Sequence, residues 1–423
     1  MEKHKKLIET EIWVGNPSSG PDSFTAALDL PATDYEIRDA VQQARGCNVK
    51  EENIDISVLS CDELPILENI RLILPQIREL NFFAKRLEEL HESEKIVLQA
   101  LLQQRYQNGE YEYGISMKEL INLTYGLESV LITSNIRNDT ELGSFVIEDG
   151  MNDDISRIPQ TAIYLLNKSK IGEMQRKIDG GVYISNYYII TGTYEDQEVY
   201  DGKNLPEAPE NTSWVFRLQI DGRNKEVSTI AFPTGFEEAE KINGKLSGQQ
   251  AVIREYDSII PQIDIDFIDQ PFHLYTLNQL AYRIRNMSEQ EQIKFKAVLE
   301  TENIQNLDTA LDVADHISEY ALDYYSFDED DFMKSYLTHH LPANFDPHWL
   351  KDIACDTAGS KLVKKLNANA SSYGIISARG QSLYQIIPYH DNLLEQNRNT
   401  TLNSTGDGME SNECKDIYGR MQL

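Results

Sequence analysis

Apolar residues recur with helical spacing in two distant segments, and both segments have the same internal spacing. The shared apolar positions are Leu80, Phe83, Ala84, Leu87 and Leu90 in the earlier segment, and Leu277, Leu280, Ala281, Ile284 and Met287 in the later one. Asn81 recurs as Asn278 at the same offset of 197 residues. Apolar spacing alone is generic, because any amphipathic helix has it. The polar match is more specific, and both segments are predicted to be helices with one buried face.

Further landmarks repeat in the same order around this helix. Trp13 is matched by Trp214, and the capping box that begins at Thr33 is matched by one at Thr234, each 201 residues later. Later matches, at offsets of 190, 191 and 186 residues, are Leu120 with Ala310, Ser144 with Ser335, and Tyr187 with Tyr373. Insertions fall in loops and leave the spacing inside elements unchanged. The ordered series therefore predicts a tandem duplication.

The predicted fold class is α+β, with two homologous units in tandem and an elongated shape. Each unit begins with a small mixed α/β subdomain, continues as a helical cluster and ends in a strand. The predicted boundaries are an N-terminal lead at 1–11, a first unit at 12–196, a linker at 197–213, a second unit at 214–390 and a disordered tail at 391–423. Pro and acidic residues suggest the linker, and the loss of apolar periodicity suggests the tail.

Charge is the strongest compositional feature of the chain. It has 39 Lys and Arg against 69 Asp and Glu, for a formal net charge of -30. Direct nucleic-acid binding is disfavoured, since such a field repels phosphate. No apolar run reaches the roughly 20 residues that span a bilayer, and the N-terminus has no apolar signal region. The four cysteines stand far apart, as in a reduced protein. The sequence thus predicts a cytoplasmic protein without membrane contact.

Motifs for catalysis, metals and cofactors do not emerge from the sequence. It contains no phosphate loop, dinucleotide-binding glycine motif or nucleophile turn. His91-Glu92 begins like a zinc-protease motif, but Lys95 stands where the second histidine belongs. His339, His340, Asp346 and His348 are the other candidate metal ligands, and a polar loop without metal explains them better. We expect no enzyme activity, no catalytic residue, no metal and no cofactor.

Acidic side chains do show an ordered arrangement in the second half. Asp308, Asp312, Asp315, Glu319 and Asp323 are spaced 4, 3, 4 and 4 residues apart, which predicts one stripe along a helix. Like charges one turn apart cost a helix a few tenths of a kcal/mol per pair, so their presence suggests a use. The predicted partner-binding residues are this stripe, the run Asp328, Glu329, Asp330 and Asp331, and the upstream Asp264, Asp266 and Asp269. A solvated face that only keeps the protein soluble is the alternative.

Several short sequences resemble the ArdA-type antirestriction proteins of mobile genetic elements. The resemblance is carried by Ile12-Trp13-Val14-Gly15-Asn16, Leu28-Asp29-Leu30-Pro31, the helix Leu80 to Leu87, Leu120 to Thr124, Leu142 to Phe145, and Leu277 to Ala281. It covers most of residues 12–150 and, more faintly, 214–345. This chain differs in having two units in one polypeptide, a different opening loop and an extra tail on each unit. The family's members are acidic, elongated dimers that imitate bent duplex DNA.

The resemblance implies an acidic DNA mimic that occupies the DNA-binding groove of a type I restriction-modification enzyme or a related host-defence complex. Duplex DNA carries one charge per about 1.7 Å, so a charge of -30 corresponds to roughly 50 Å, or about 15 base pairs. The expected partner is a basic DNA-binding protein complex, and homodimerisation stays open. One alternative is a protein-interaction module of a mobile element, which binds through a patch such as Tyr183, Tyr187, Tyr188 and Tyr194. An unfamiliar enzyme, with carboxylates or histidines converging in a pocket, is the other.

Overall fold

The computed structural model describes the chain in two units, which divide between Trp214 and Val215. The described residues are 5–14, 24–47, 49–50, 53–149, 157–206, 213–221, 227–235, 237–238, 240–241, 252–268, 274–302, 304, 306–326, 328–340 and 356–377. Both units combine helices with small, mostly antiparallel sheets. The predicted α+β class is confirmed.

The first unit begins with a three-stranded antiparallel sheet. Its strands are β1 (Ile8–Val14), β2 (Thr25–Leu30) and β3 (Ile54–Ser60), in the order β2-β1-β3. Alternate residues of β2 are buried, as expected for a sheet with one face on the core. Helix α1 (Asp34–Gln43) follows β2, and the predicted capping box at Thr33 is present.

A helical cluster packs beside this sheet. Strand β4 (Leu72–Ile73) precedes α2 (Ile77–Glu89) and α3 (Glu92–Gln107), and it pairs in parallel with β5 (Ile115–Ser116). Helix α4 (Met117–Asn122) follows and is capped by Ser116, whose side chain accepts a hydrogen bond from the Glu119 amide. The apolar face predicted for α2 is buried in the main core of the unit.

A second small sheet with its own helices completes the first unit. Strand β6 (Leu131–Ser134) is followed by α5 (Asp139–Asp149), the short α6 (Gln160–Ile163) and α7 (Lys168–Asp179). The hairpin of β7 (Val182–Ile184) and β8 (Tyr187–Ile190) then pairs with β6, in the order β6-β8-β7. Helices α5 and α7 pack closely against each other.

The described part of the second unit contains most of these kinds of element in the same order. Its first sheet comprises β9 (Phe216–Asp221), β10 (Val227–Phe232) and β11 (Val252–Ser258), and its helical cluster comprises α8 (Leu274–Asn286), α9 (Glu289–Thr301) and α10 (Leu307–Asp315). Strand β12 (Leu322–Asp323), α11 (Glu329–His340), α12 (Asp356–Lys365), β13 (Ala368–Ser371) and β14 (Gly374–Ser377) follow. The sheet orders are β10-β9-β11 and β12-β14-β13.

Both sheets therefore have the same strand order in the two units, although the duplication itself stays a prediction. Two predicted boundaries need correction. Strand β1 begins at Ile8, inside the predicted lead, because Ile8 pairs with Leu30. Residues 197–205 were predicted as linker, yet Tyr200 is buried in the first core and Leu205 packs against it. The predicted tail at 391–423 lies outside the described residues.

Candidate protein-binding surface

Helix α10 presents part of the predicted acidic stripe to solvent. Asn306 caps the helix by accepting a hydrogen bond from the Thr309 amide at 2.8 Å. One helix face is buried, through Leu307, Ala310, Val313 and Ala314. Asp308, Asp312 and Asp315 lie on the other face, and all three are exposed. The prediction of a carboxylate stripe along one helix holds for these three residues.

The stripe does not continue along one helix. Helix α10 ends at Asp315, a 3-10 turn covers Ile317–Glu319, and β12 follows. Glu319 is exposed in that turn. Asp323 pairs with Ile375 of β14 and is only 7 % exposed. Asp323 was therefore wrongly predicted as a surface phosphate mimic, because strand pairing replaces the helical periodicity on which the prediction rested.

The acidic run at the start of α11 is used mainly to build the helix end. Asp328 is exposed and caps the helix, since its side chain accepts hydrogen bonds from the Asp330 and Asp331 amides at 2.9 and 2.8 Å. The half-buried Glu329 accepts a hydrogen bond from the Ser360 hydroxyl on α12. Asp330 and Asp331 are also half-buried, and Asp331 lies 3.8 Å from the Lys334 amine. Only Asp328 of this run is exposed, and one of its carboxylate oxygens is engaged in the cap.

The upstream acids lie on a short turn. Asp264 and Asp266 are exposed at the 3-10 turn Ile265–Phe267, and Asp264 accepts a hydrogen bond from the Asp266 amide at 2.9 Å. Asp269 lies outside the described residues. These two carboxylates therefore belong to a turn that is separate from α10.

Few cations lie along the chain near the α10 carboxylates. Between Lys296 and Lys334 there are eleven Asp and Glu residues and no Lys or Arg. Arg283 of α8 pairs with Asp315, and the His316 ring lies 3.1 Å from the Asp312 carboxylate. Thr276 of α8 donates a hydrogen bond to Asp308 at 3.4 Å. Exposed pairs of this kind hold side chains in place but contribute little stability. The face of α10 therefore keeps a negative charge.

The tyrosines proposed for the alternative binding patch are used inside the first unit. Tyr188 is buried, and its hydroxyl donates to Asp179 at 2.9 Å. Desolvation, helped by that carboxylate, raises the pKa of Tyr188 well above its usual range. Tyr183 donates to Asp139 at 2.9 Å, and Tyr194 donates to a backbone carbonyl at 3.2 Å. These side chains do not form the exposed patch that the alternative needs.

Most of the candidate metal ligands around His340 lie outside the described residues. No group of three or more His, Cys, Asp or Glu residues in the described part of the chain has the geometry to hold a metal ion. His340 stacks on the Tyr336 ring at 4.0 Å, while Asp346, His348 and the side chain of His339 lie outside the described residues.

Among the described helices, none combines the length and apolar character required to cross a bilayer.

The structure reveals one surface that sequence reasoning missed. Residues 194–205 lie across the first unit and contact Arg105, Lys118 and Asn122. No local pattern marks these contacts, because they join residues about 80 to 90 positions apart.

Comparison with protein-family models and with curated proteins finds no match for the chain.

Proposed function

We propose that the protein is a non-catalytic, acidic DNA mimic that acts in the cytoplasm. It would inhibit a type I restriction-modification enzyme, or a related host-defence complex, by occupying its DNA-binding groove. The resemblance to ArdA-type proteins suggests this target class. The observation that carries the proposal is the exposed face of α10, where Asp308, Asp312 and Asp315 stand within a segment that has no Lys or Arg. A basic groove that binds phosphates also attracts such carboxylates.

The charge spacing on α10 approaches that of one DNA strand. A rise of about 1.5 Å per residue places Asp308 and Asp312 about 6 Å apart along the axis, and Asp312 and Asp315 about 4.5 Å apart. One DNA strand has a phosphate about every 3.4 Å. The helix is thus less densely charged than a strand. Further carboxylates, such as the exposed Glu319 and Asp328, are needed for the charge density of the surface to match that of a DNA strand.

Preorganisation also favours this function. The buried face of α10 packs against α8, which fixes the helix that bears the carboxylates. Thr276 and Arg283 on α8 contact Asp308 and Asp315. Side chains that are already positioned lose less conformational entropy when a partner binds. The contacts therefore lower the cost of presenting charge in a fixed pattern.

The experiment is to measure inhibition of a purified type I restriction enzyme by the chain and by an Asp308→Asn, Asp312→Asn, Asp315→Asn variant. The matched control replaces three exposed acids of the first unit by Glu110→Gln, Glu112→Gln and Glu128→Gln, with the same change in net charge. We expect the α10 variant to need at least about tenfold more protein for half-inhibition, a difference of about 1.4 kcal/mol. Inhibition by the wild type without competition against DNA at low salt would contradict mimicry.

A second candidate function is that of a protein-interaction module whose acidic surface serves solubility. The observation that favours it is a group of exposed apolar residues around α6 and α7: Tyr164, Leu165, Met174 and Ile178 are 78 %, 70 %, 59 % and 73 % exposed. Exposed apolar groups can mark protein-interaction sites. In this case partner binding would survive the α10 changes and be lost on Met174→Ser with Ile178→Ser. The two candidates therefore predict opposite results for the two variants.

A further inference from the structure

A segment without helix or strand docks on the first unit through one buried side chain and several hydrogen bonds. We call residues 194–205 the strap. Tyr200 is its buried anchor, at 2 % exposure, and Leu205 packs partly against the same core. The five residues between the half-buried Tyr194 and the buried Tyr200 are all exposed: Glu195, Asp196, Gln197, Glu198 and Val199. One deep anchor beside exposed neighbours is typical of a bound peptide rather than of a core strand.

The strap backbone is recognised by one side chain. The Asn122 side-chain oxygen accepts hydrogen bonds from the Val199 and Tyr200 amides at 2.9 and 2.7 Å. Its side-chain nitrogen donates to the Tyr200 carbonyl at 2.9 Å. These bonds satisfy the backbone groups of Val199 and Tyr200 without a strand partner. They require peptide groups and carry no preference for a particular side chain.

Three further contacts bind side chains of the strap. Asp196 pairs with Arg105 at 2.7 Å, and Glu198 pairs with Lys118 at 2.9 Å. The Tyr200 hydroxyl donates to Glu79 of α2 at 2.7 Å. The two acidic residues, four and two positions before the tyrosine, are thus each paired with a cation. The tyrosine hydroxyl is paired with a carboxylate. This complementarity defines the chemistry of a ligand.

The second unit has different residues at the corresponding positions. Ser116 and Asn306 cap α4 and α10, which aligns Lys118 with Asp308 and Asn122 with Asp312. An aspartate at the latter position lacks the donor that Asn122 offers to the Tyr200 carbonyl. Two added carboxylates would also repel an acidic peptide. Recognition of this kind is therefore specific to the first unit.

We propose that Glu79, Arg105, Lys118 and Asn122 form a peptide-binding groove, for which the strap is a ligand supplied by the same chain. The groove accepts an extended segment from another protein when that segment carries carboxylates four and two positions before a tyrosine. The strap occludes the groove, because a tethered ligand acts at an effective concentration of about 1 mM. A partner segment must therefore outcompete the strap, which makes the contact autoinhibitory. This proposal is independent of DNA mimicry.

The test uses a fluorescent peptide with the sequence of residues 194–205 and measures its anisotropy with the full-length chain. A strap variant, Asp196→Asn, Glu198→Gln, Tyr200→Ala, frees the groove. We expect it to bind the peptide at least tenfold more tightly than the wild type does. Adding Asn122→Asp, the residue present in the second unit, should remove that gain. A peptide with Tyr200→Phe should bind more weakly, since it lacks the hydroxyl that reaches Glu79.

A scrambled peptide of the same composition separates recognition from simple charge attraction. Equal binding of both peptides to the strap variant would overturn the proposal, and so would binding that Asn122→Asp leaves unchanged. Circular dichroism verifies that each variant is folded. If Tyr200→Ala unfolds the unit, the Asp196→Asn, Glu198→Gln variant keeps the anchor and should still bind the native peptide more tightly than the wild type. Equal affinity of this variant and the wild type would then refute the groove.

Discussion

Asn81 and Asn278 make the same two hydrogen bonds, each within its own unit. The Asn81 side-chain oxygen accepts from the Ala32 amide at 2.7 Å, and its nitrogen donates to the Ala32 carbonyl at 2.8 Å. Asn278 accepts from the Thr234 amide at 2.8 Å and donates to the Thr234 carbonyl at 3.1 Å. Each asparagine thereby ties its helix to the loop that follows the second strand of its unit.

Replacing either asparagine by alanine should destabilise the unit that contains it. Asn81→Ala leaves the buried Ala32 amide and carbonyl without the side-chain partners that satisfy them. Such a loss costs about 1–3 kcal/mol. Chemical denaturation followed by tryptophan fluorescence and circular dichroism measures the change in the free energy of unfolding. The exposed Asn108→Ala, at the end of α3, is the control and should cost much less.

Two glycines set the close approach of α5 and α7. A Cβ atom on Gly172 would overlap the Asp139 carbonyl oxygen, and one on Gly143 would overlap the Lys168 carbonyl oxygen. Gly172→Ala should therefore force the helices apart and cost about 3 kcal/mol or more, at the upper end of overpacking effects. Thermal unfolding tests this. Gly235→Ala is the control, because nothing lies within 4 Å of its added Cβ. Equal losses in both variants would contradict the packing argument.

Sequence patterns were most informative where the chain's own periodicity decides the structure. The spacing around Leu80 and Leu277 predicted α2 and α8 with buried faces, and the capping box at Thr33 marked a helix start that the structure contains. These signals are local, because a cap and its partner lie three residues apart. The same locality explains why the apolar face of α10 and its three exposed aspartates could be predicted together.

The sequence-based predictions were wrong where contacts between distant residues determine the structure instead of the local pattern. Asp323 has helical spacing from Glu319, yet pairing with β14 places it in a strand and buries it. Pro206, Pro209 and the acidic residues near them suggested a linker at 197–213. Tyr200 fell within that range, although contacts with Asn122 and Glu79 hold it on the first unit. Two matched pairs were also displaced. Trp13 lies within β1, whereas Trp214 precedes β9, the corresponding strand of the second unit. Asn138 and Asp328 cap α5 and α11 in the same way, so Ser144 corresponds to Lys334 rather than to Ser335.

Lowering the pH should reduce the folding stability of the first unit, partly because Asp139 becomes protonated. Its hydrogen bonds with Arg176, and secondarily with Tyr183, hold the pKa of Asp139 below its ordinary value. A carboxyl whose pKa is lower in the folded state contributes stability that is present above the unfolded pKa of about 3.9. That contribution is lost as pH falls through the lower, folded value. The wild type should therefore lose stability over a wider acid range than Asp139→Asn.

Unfolding curves between pH 7 and pH 2 provide this measurement. Asp139→Asn should be less stable than the wild type at pH 7, and the difference should shrink below about pH 4. The exposed Asp62→Asn serves as the control for removal of an aspartate from the same unit. A difference between wild type and Asp139→Asn that stays constant across the whole range would show that the ion pair with Arg176 makes no pH-dependent contribution.

Salt dependence should report how many α10 carboxylates contact the partner in the proposed function. Each phosphate that a protein neutralises on duplex DNA contributes about 0.9 to the slope of log affinity against log salt. Three neutralised carboxylates therefore set an upper bound of about 2.7 on the change in slope, because a protein surface condenses fewer counterions than DNA. Fluorescence anisotropy of each labelled protein with the restriction complex, in increasing potassium chloride, gives the three slopes to be compared. The Asp308→Asn, Asp312→Asn, Asp315→Asn variant should show the shallower dependence, and Glu110→Gln, Glu112→Gln, Glu128→Gln should match the wild type. Equal slopes for all three proteins would mean that the partner does not contact the carboxylates of α10.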